Sequence, residues 1–190
     1  TEEQRQAYLD SIEEESLRLS YMATNVLNLT KVENQTILTD VTEFNLSEQV
    51  RSAVLLLESK WGEKNIDLQL DFDEYTVEGS EELLKQVWIN LTDNAVKFSP
   101  RCGAVILDIA AGQDTVTVKI SNTGPEIPPE KMDRIFNKFY QADESHAAEG
   151  NGIGLAIVKH IVEGHGERVS VRSELGVGST FTFTLKKVEL

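Results

Sequence analysis

Two runs of alternating side chains, AVILDIA at 104–110 and TVTVKIS at 115–121, flank the short polar link AGQD. Alternation with a period of two reads as strand, and so short a link leaves room only for an antiparallel hairpin. That hairpin argues against a purely parallel βαβ sheet. Upstream, a strand is expected near Val41–Phe44, then a helix capped by Asn45 with Glu48 three residues on, running to about Lys64. IDLQLDF (66–72) alternates like a half-buried strand, and YTVEG (75–79) is expected to pair with it. Ser80 caps the next helix, with Glu81 and Glu82 in its first turn, where the helix dipole favours acids. Downstream come a proline-led helix at Pro128–Pro129, a polar segment from Gln141 to Asn151, and a helix opened by glycines. Two closing strands, RVSVRS and STFTFTL, are joined by ELGVG. The fold class this order implies is α+β, an α/β sandwich in which a mixed, mainly antiparallel sheet is covered on one face by helices.

Residues 1–33 follow a different rule. Tyr8, Ile12, Leu19, Met22, Val26 and Leu29 fall on alternating steps of three and four, with Glu15 and Glu33 in two of the expected slots. Such a seam marks a long amphipathic helix that cannot bury its own stripe and needs a partner helix or a second copy of itself. The expected division is therefore 1–36 for this helix and 40–190 for the α+β domain. With 18 Lys and Arg against 32 Asp and Glu, the formal net charge is −14, which speaks against nucleic acid and anionic lipid as partners. An anionic ligand stays open if a metal ion or local donors offset the repulsion. The single cysteine, Cys102, rules out an internal disulfide and suits a reducing compartment. No apolar run reaches the ~20 residues a membrane helix needs, and no signal peptide is visible. Because the chain opens on Thr1, it is expected to be a piece of something longer.

Three stretches carry candidate chemistry. GNGIGLAIVKHIVEGHG, 150–166, alternates glycines at Gly150, Gly152 and Gly154 and then runs straight into a helix. A dinucleotide fingerprint fails because Leu155 or Ile157 occupies its last glycine position, and a phosphate-binding P-loop would need Gly-Lys-Ser/Thr. What is left is a glycine-hinged loop feeding a helix N-terminus, whose free N–H groups suit phosphate. In LLKQVWINLTDNAVKFSP, 83–100, Leu84, Val87, Trp88, Leu91, Ala95 and Phe98 share a core-facing arc. Gln86, Asn90, Asn94 and Lys97 cluster beside it. An amide oxygen can ligate a hard cation such as Mg²⁺, and a lysine can meet phosphate. In ISNTGPEIPPEKMDRIFNKFY, 120–140, Asn122 ends a strand just before Gly124 and could offer a base edge both an acceptor and a donor. Phe136 and Phe139 read mainly as core aromatics behind that loop.

Taken together and in this order, the stretches resemble the catalytic ATP-binding domain of bacterial two-component sensor histidine kinases, members of the gyrase–chaperone–kinase–mismatch-repair (GHKL) ATPase superfamily. NLTDNAVKF is similar to the family's N-box, SNTGPEIP to its first glycine box and IFNKFY to its F-box. GNGIGLAIVKHIV is similar to the second glycine box and GVGSTFTF to the closing glycine motif. The likeness covers about 40–187, and the leading helix resembles the second helix of the dimerisation and phosphotransfer hairpin.

The resemblance implies that ATP and Mg²⁺ are the cofactors, with Asn94 the metal ligand, Asn90 in support and Lys97 touching phosphate or loop. Asn122 would meet the adenine amine and Gly124 would allow close approach. Ile127, Phe139, Tyr140, Asn151, Ile153, Leu155 and Thr180 complete the implied nucleotide-binding set. Residues 141–151 would form a lid, with Gly150, Gly152 and Gly154 supplying N–H donors. Implied partners are ATP, a phosphotransfer hairpin of the same or a partner subunit, a response-regulator receiver domain and a second copy of the parent. The implied place is the cytoplasmic portion of a membrane-anchored sensor.

Four departures qualify it. Asn122 replaces the usual aspartate, Glu126 a frequent glycine, and Gln141 a frequent arginine. None of His146, His160 and His165 sits in a phosphoacceptor box, so no catalytic histidine is assigned and the chain is not expected to phosphorylate itself. Asn90 occupies the slot where water-using members carry a glutamate base, and the neighbouring Asp93 points elsewhere on the wheel. Negligible ATPase activity and no serine-kinase activity are therefore expected. Two other readings stay open: a degenerate kinase domain acting as a nucleotide-sensing or docking module, and a hydrolysing ATPase or anti-sigma-type serine kinase.

Overall fold

The structure is a computed structural model. It describes residues 1, 4–6, 8, 9, 11–13, 16, 19, 20, 23, 26, 27, 30, 40–141 and 152–188. The hairpin forms as its alternation demands. Strands β4 (Ala104–Ala111) and β5 (Thr115–Asn122) are antiparallel, with Val105 opposite Asn122. Strand β7 (Gly178–Lys186) lies antiparallel along β5, placing Ser179 opposite Asn122, and β6 (Ser170–Glu174) closes that edge. On the other edge β2 (Asp67–Asp71) joins β4 in parallel, giving the order β2-β4-β5-β7-β6. Alternation sends Val105, Leu107 and Ile109, then Val116, Val118 and Ile120, then Phe181, Phe183 and Leu185 to one face, all buried. The opposite face shows Thr117, Lys119 and Thr182 to solvent or leaves them only partly covered.

Helices cover the apolar face. Helix α1 (Leu46–Leu55) is capped by Asn45, whose side-chain oxygen accepts the Glu48 N–H at 2.8 Å. Helix α3 (Glu81–Phe98) buries Leu84, Val87, Trp88 and Leu91, and α5 (Gly154–Gly164) packs beside it with Ile157, Val158, Ile161 and Val162 inward. Trp88 stacks on Phe183 with ring centroids 5.3 Å apart, and its indole N–H donates to Gln49 of α1. Tryptophan thus brings a large apolar payload and satisfies its one polar atom.

Several expectations need correction. YTVEG does not pair with IDLQLDF. It forms β3 (Thr76–Ser80), which lies antiparallel to β1 (Val41–Asn45) in a separate two-stranded sheet. The link before it is held to the start of α1: the Leu46 N–H donates to Tyr75 O, the Ser47 hydroxyl to Asp73 O, and the Tyr75 N–H to Ser47 Oγ. Those bonds carry the chain away from β2, which pairs with β4. The helix expected to reach Lys64 is broken after Leu55, and a second one, α2, spans Glu58–Glu63. Ser80 does precede α3, but its side chain makes no cap bond; its N–H donates instead to His165 Nε2 at 3.0 Å. His165 Nδ1 in turn bonds Ile161 O at 2.7 Å. Burial holds the imidazole below its ordinary pKa, with the bond to Ile161 working the other way. Phe98, assigned to the core arc, is 38% exposed.

The described residues between 4 and 30 are helical and all are exposed, Tyr8, Ile12, Leu19 and Val26 included. Met22, Leu29, Glu15 and Glu33 of the seam lie outside the described residues. Among the described residues no helix is long and apolar enough to cross a membrane. The proline-led helix is a single turn, α4 (Pro129–Met132).

Candidate functional site

The polar side of α3 and the loop after β5 face each other across a cleft of about 1000 Å³. Asn90, Asn94 and Lys97 stand on the helix wall at successive turns, because the core-facing arc beside them fixes the roll of α3. Asn122, at the last position of β5, is buried, with 8% of its surface exposed. Its Nδ2 donates to Thr123 O at 3.1 Å. A carbonyl can only accept, so the amide nitrogen is turned to the chain and the acceptor oxygen to the other side. Gly124 and Ile127 continue this wall, and the Ile127 N–H donates to Ser173 Oγ at 2.9 Å. Tyr140, Gly152, Gly154 and Leu155 form the third side.

The glycines here answer to packing. Gly152 has φ +66°, and a Cβ there would lie 2.6 Å from Tyr140 O. Its carbonyl accepts the Phe139 N–H at 2.9 Å. A Cβ on Gly154 would lie 2.8 Å from Asn90 Oδ1, so the bare first residue of α5 lets that amide sit against the helix start. Asn90 anchors itself by donating from Nδ2 to Gln86 O at 2.8 Å. Lys97 places its ammonium 4.8 Å from the centre of the Phe98 ring, and Arg134 lies 4.7 Å over the Tyr140 ring.

Ten of the implied residues therefore line one cleft. Three do not. Ile153 is fully buried in the core, and Thr180 turns to the far face of the sheet, where its hydroxyl bonds Ser121 at 2.9 Å. Phe139, expected in the core or at the ligand, is 63% exposed, with φ 62°. Strand alternation explains Thr180, since its neighbours Ser179 and Phe181 do line the cleft. Gly150, Asn151 and His146 lie outside the described residues, as does most of the expected lid.

Sequence reasoning missed other lining groups. Asp93, expected to point away, reaches the cleft, yet its carboxylate is paired with Lys60 at 2.5 Å. Lys64, Arg101 and Lys131 also line it. With Lys97 they make four cationic side chains against two acidic ones, Asp93 and Glu126, among the described residues. A chain of net charge −14 thus keeps a locally positive cleft, and local charge is what an anionic ligand meets.

Comparison with known proteins bears on this geometry. The family model described as "Histidine kinase-, DNA gyrase B-, and HSP90-like ATPase" matches residues 79–189. The heme sensor protein HssS of Staphylococcus saprophyticus is 32% identical over 188 residues, which are 99% of this chain and 40% of that protein. Among solved structures, full-length ShkA in complex with AMPPNP has a TM-score of 0.82 at 27% identity, covering 97% of this chain and 40% of that one. The catalytic domain of histidine kinase ThkA has a TM-score of 0.70 at 32% identity, covering 78% of this chain and 97% of that domain. ThkA in complex with response regulator protein TrrA gives 0.76 at 29%, covering 91% and 49%. The chain thus spans less than half the length of the curated relative it matches and nearly the whole of a free-standing catalytic domain. Matched by that family model over more than half its length and by a solved catalytic domain at 32% identity, the chain belongs to the histidine kinase-, DNA gyrase B- and HSP90-like ATPases, and among them to the ATP-binding catalytic domains of histidine kinases.

Proposed function

We propose that this chain is the part of a sensor histidine kinase that binds Mg–ATP and delivers the γ-phosphoryl group to a histidine on a phosphotransfer hairpin, for relay to a response-regulator receiver domain. Residues 40–190 form the nucleotide-binding unit, and 1–36 supply the second helix of the hairpin, whose exposed stripe pairs in a parent homodimer. The parent is anchored in a membrane with this portion on the cytoplasmic side, where ATP is found. The observation that carries the reading is the convergence of Asn90, Asn94 and Lys97 with Asn122 and Gly124 on one cleft.

The donor set fits Mg²⁺ that arrives with its nucleotide. Mg²⁺ is commonly held by one or two protein oxygens plus phosphates and water, and the described residues contain no His, Cys, Asp and Glu cluster able to cage a metal alone. Asn94 would hold it, with Asn90 beside, and the metal when bound would neutralise phosphate charge. The chain's own residues position the rest. The Asn122 oxygen accepts from the exocyclic amine of the base, while Gly154 and Leu155 present the N-terminal N–H groups of α5 to phosphate.

Phosphoryl transfer rests on such positioning and charge stabilisation, and an imidazole nucleophile needs no separate base. Among the described residues on the helix wall none is offered to water: position 90 is an amide, and Asp93 is engaged by Lys60. The test mixes the chain with Mg–ATP and a separately made phosphotransfer hairpin carrying its histidine. Phosphate should appear on the hairpin and fall at least about 100-fold with Asn94→Ala, the scale of losing one electrostatic stabiliser of the transition state. Tight nucleotide binding without transfer would instead mark a sensing or docking module, and steady phosphate release to water a hydrolase.

A further inference from the structure

Lys64 ends α2 as its C-cap residue and lines the cleft, though nothing in its sequence context marks it as part of a site. Its ammonium donates to three main-chain carbonyls: Val96 at 3.0 Å, Lys97 at 2.6 Å and Ser99 at 3.1 Å. These belong to the end of α3, where carbonyls lack partners within the helix. An ammonium has three protons, so these bonds fill its donor capacity. The main chain of the same residue adds a fourth tie, its carbonyl accepting the Cys102 N–H at 2.9 Å. Residues 96–102 are thus gripped by one lysine from two directions.

What that grip holds is the joint between the two polar walls. A Cβ on Gly124 would lie 2.5 Å from Phe98 O, so the end of α3 is seated directly against the Asn122–Gly124 turn. Asn94 and Lys97 ride the same last turns of α3. A helix C-terminus carries about −0.5 charge, and here it ends at a cleft that must accept an anion. A cation at that end both satisfies the carbonyls and cancels their field.

We propose that Lys64 is a positioning residue for nucleotide binding: its ammonium fixes the carbonyl end of α3 and, through Phe98, the turn that carries Asn122. The inference rests on the nucleotide-binding reading above. The experiment is calorimetric titration of Mg–ATP into the full chain and its Lys64→Met, Lys64→Gln and Lys64→Arg variants, each with a urea midpoint measured in parallel. Lys64→Met should raise Kd about tenfold, and Lys64→Gln, which keeps two donors without charge, by less. Lys64→Arg, which restores both charge and donors, should return Kd to within about threefold of the native value. All of these are read well below the urea transition. A lysine that only stabilised the fold would lower the midpoint and leave Kd untouched. Kd within about twofold of native in folded Lys64→Met and Lys64→Gln would overturn the proposal. Failure of the native chain to bind Mg–ATP would overturn the reading beneath it instead.

Discussion

Thr92 sits in the middle of α3 with no exposed surface, and its hydroxyl has no hydrogen-bond partner. An unpartnered buried hydroxyl costs about 1–3 kcal/mol in protein mutational data. Valine has the same branched shape without the polar atom, and threonine and valine stand close together on helix propensity scales. Thr92→Val should therefore stabilise the domain by about 1–2 kcal/mol. With a urea slope near 2 kcal/mol/M, that raises the midpoint by about 0.5–1 M, and the melting temperature by roughly 2–4 °C per kcal/mol for a domain of this size. Two further variants make the reasoning sharper. Thr92→Ala removes the hydroxyl but also a buried methyl worth about 0.8 kcal/mol, so the two effects offset and stability stays near native. Thr92→Ser keeps the orphan and loses the methyl, so it should be the least stable of the four. The expected order is Val, then Thr and Ala together, then Ser. A Val variant that melts below the native chain would show that the hydroxyl is satisfied after all and would sink the argument.

Two other outcomes are expected. Gly152→Ala forces a Cβ to within 2.6 Å of Tyr140 O at φ +66°; the left-handed conformation alone costs about 1–2 kcal/mol, so its urea midpoint should fall by at least about 0.5 M, and an unchanged midpoint would refute the tight seating of that residue. His165 has a folded-state pKa held below its ordinary value by burial, so the stability it contributes is complete above about pH 6.5 and is lost as pH falls through the lowered folded value. Urea midpoints measured from pH 7 to 5 should consequently drop more steeply for the native chain than for His165→Gln, and parallel profiles would contradict this.

Much of the site could be read from local chemistry alone. Asn45 announced its cap because an N-cap bond spans only three residues, and the two faces of α3 were visible because helix periodicity repeats within one segment. The hairpin was legible for the same reason. Pairings between distant segments were not: β3 goes to β1 because side chains near 45–47 tie down the loop at 73–75, a relation no periodicity encodes. Lys64 escaped because one charged residue at a helix end looks like ordinary solvated surface until its partner is placed, whereas Asp93 was set aside on its wheel position although that flank of α3 also borders the cleft. Phe98 was misassigned because the wheel extends the core arc one turn beyond where the sheet still covers it. Thr180 followed the motif rather than its register, and register decides which way a strand residue points.

The described part of the leading helix leaves Tyr8, Ile12, Leu19 and Val26 in water. A polypeptide built this way holds back some of its folding free energy until another surface arrives to cover them. By mass action, whatever binds the native form alone raises its apparent stability with the logarithm of its concentration. Where a second copy covers that stripe, as proposed, the melting temperature becomes partly a property of the protein's company, and dilution a mild denaturant.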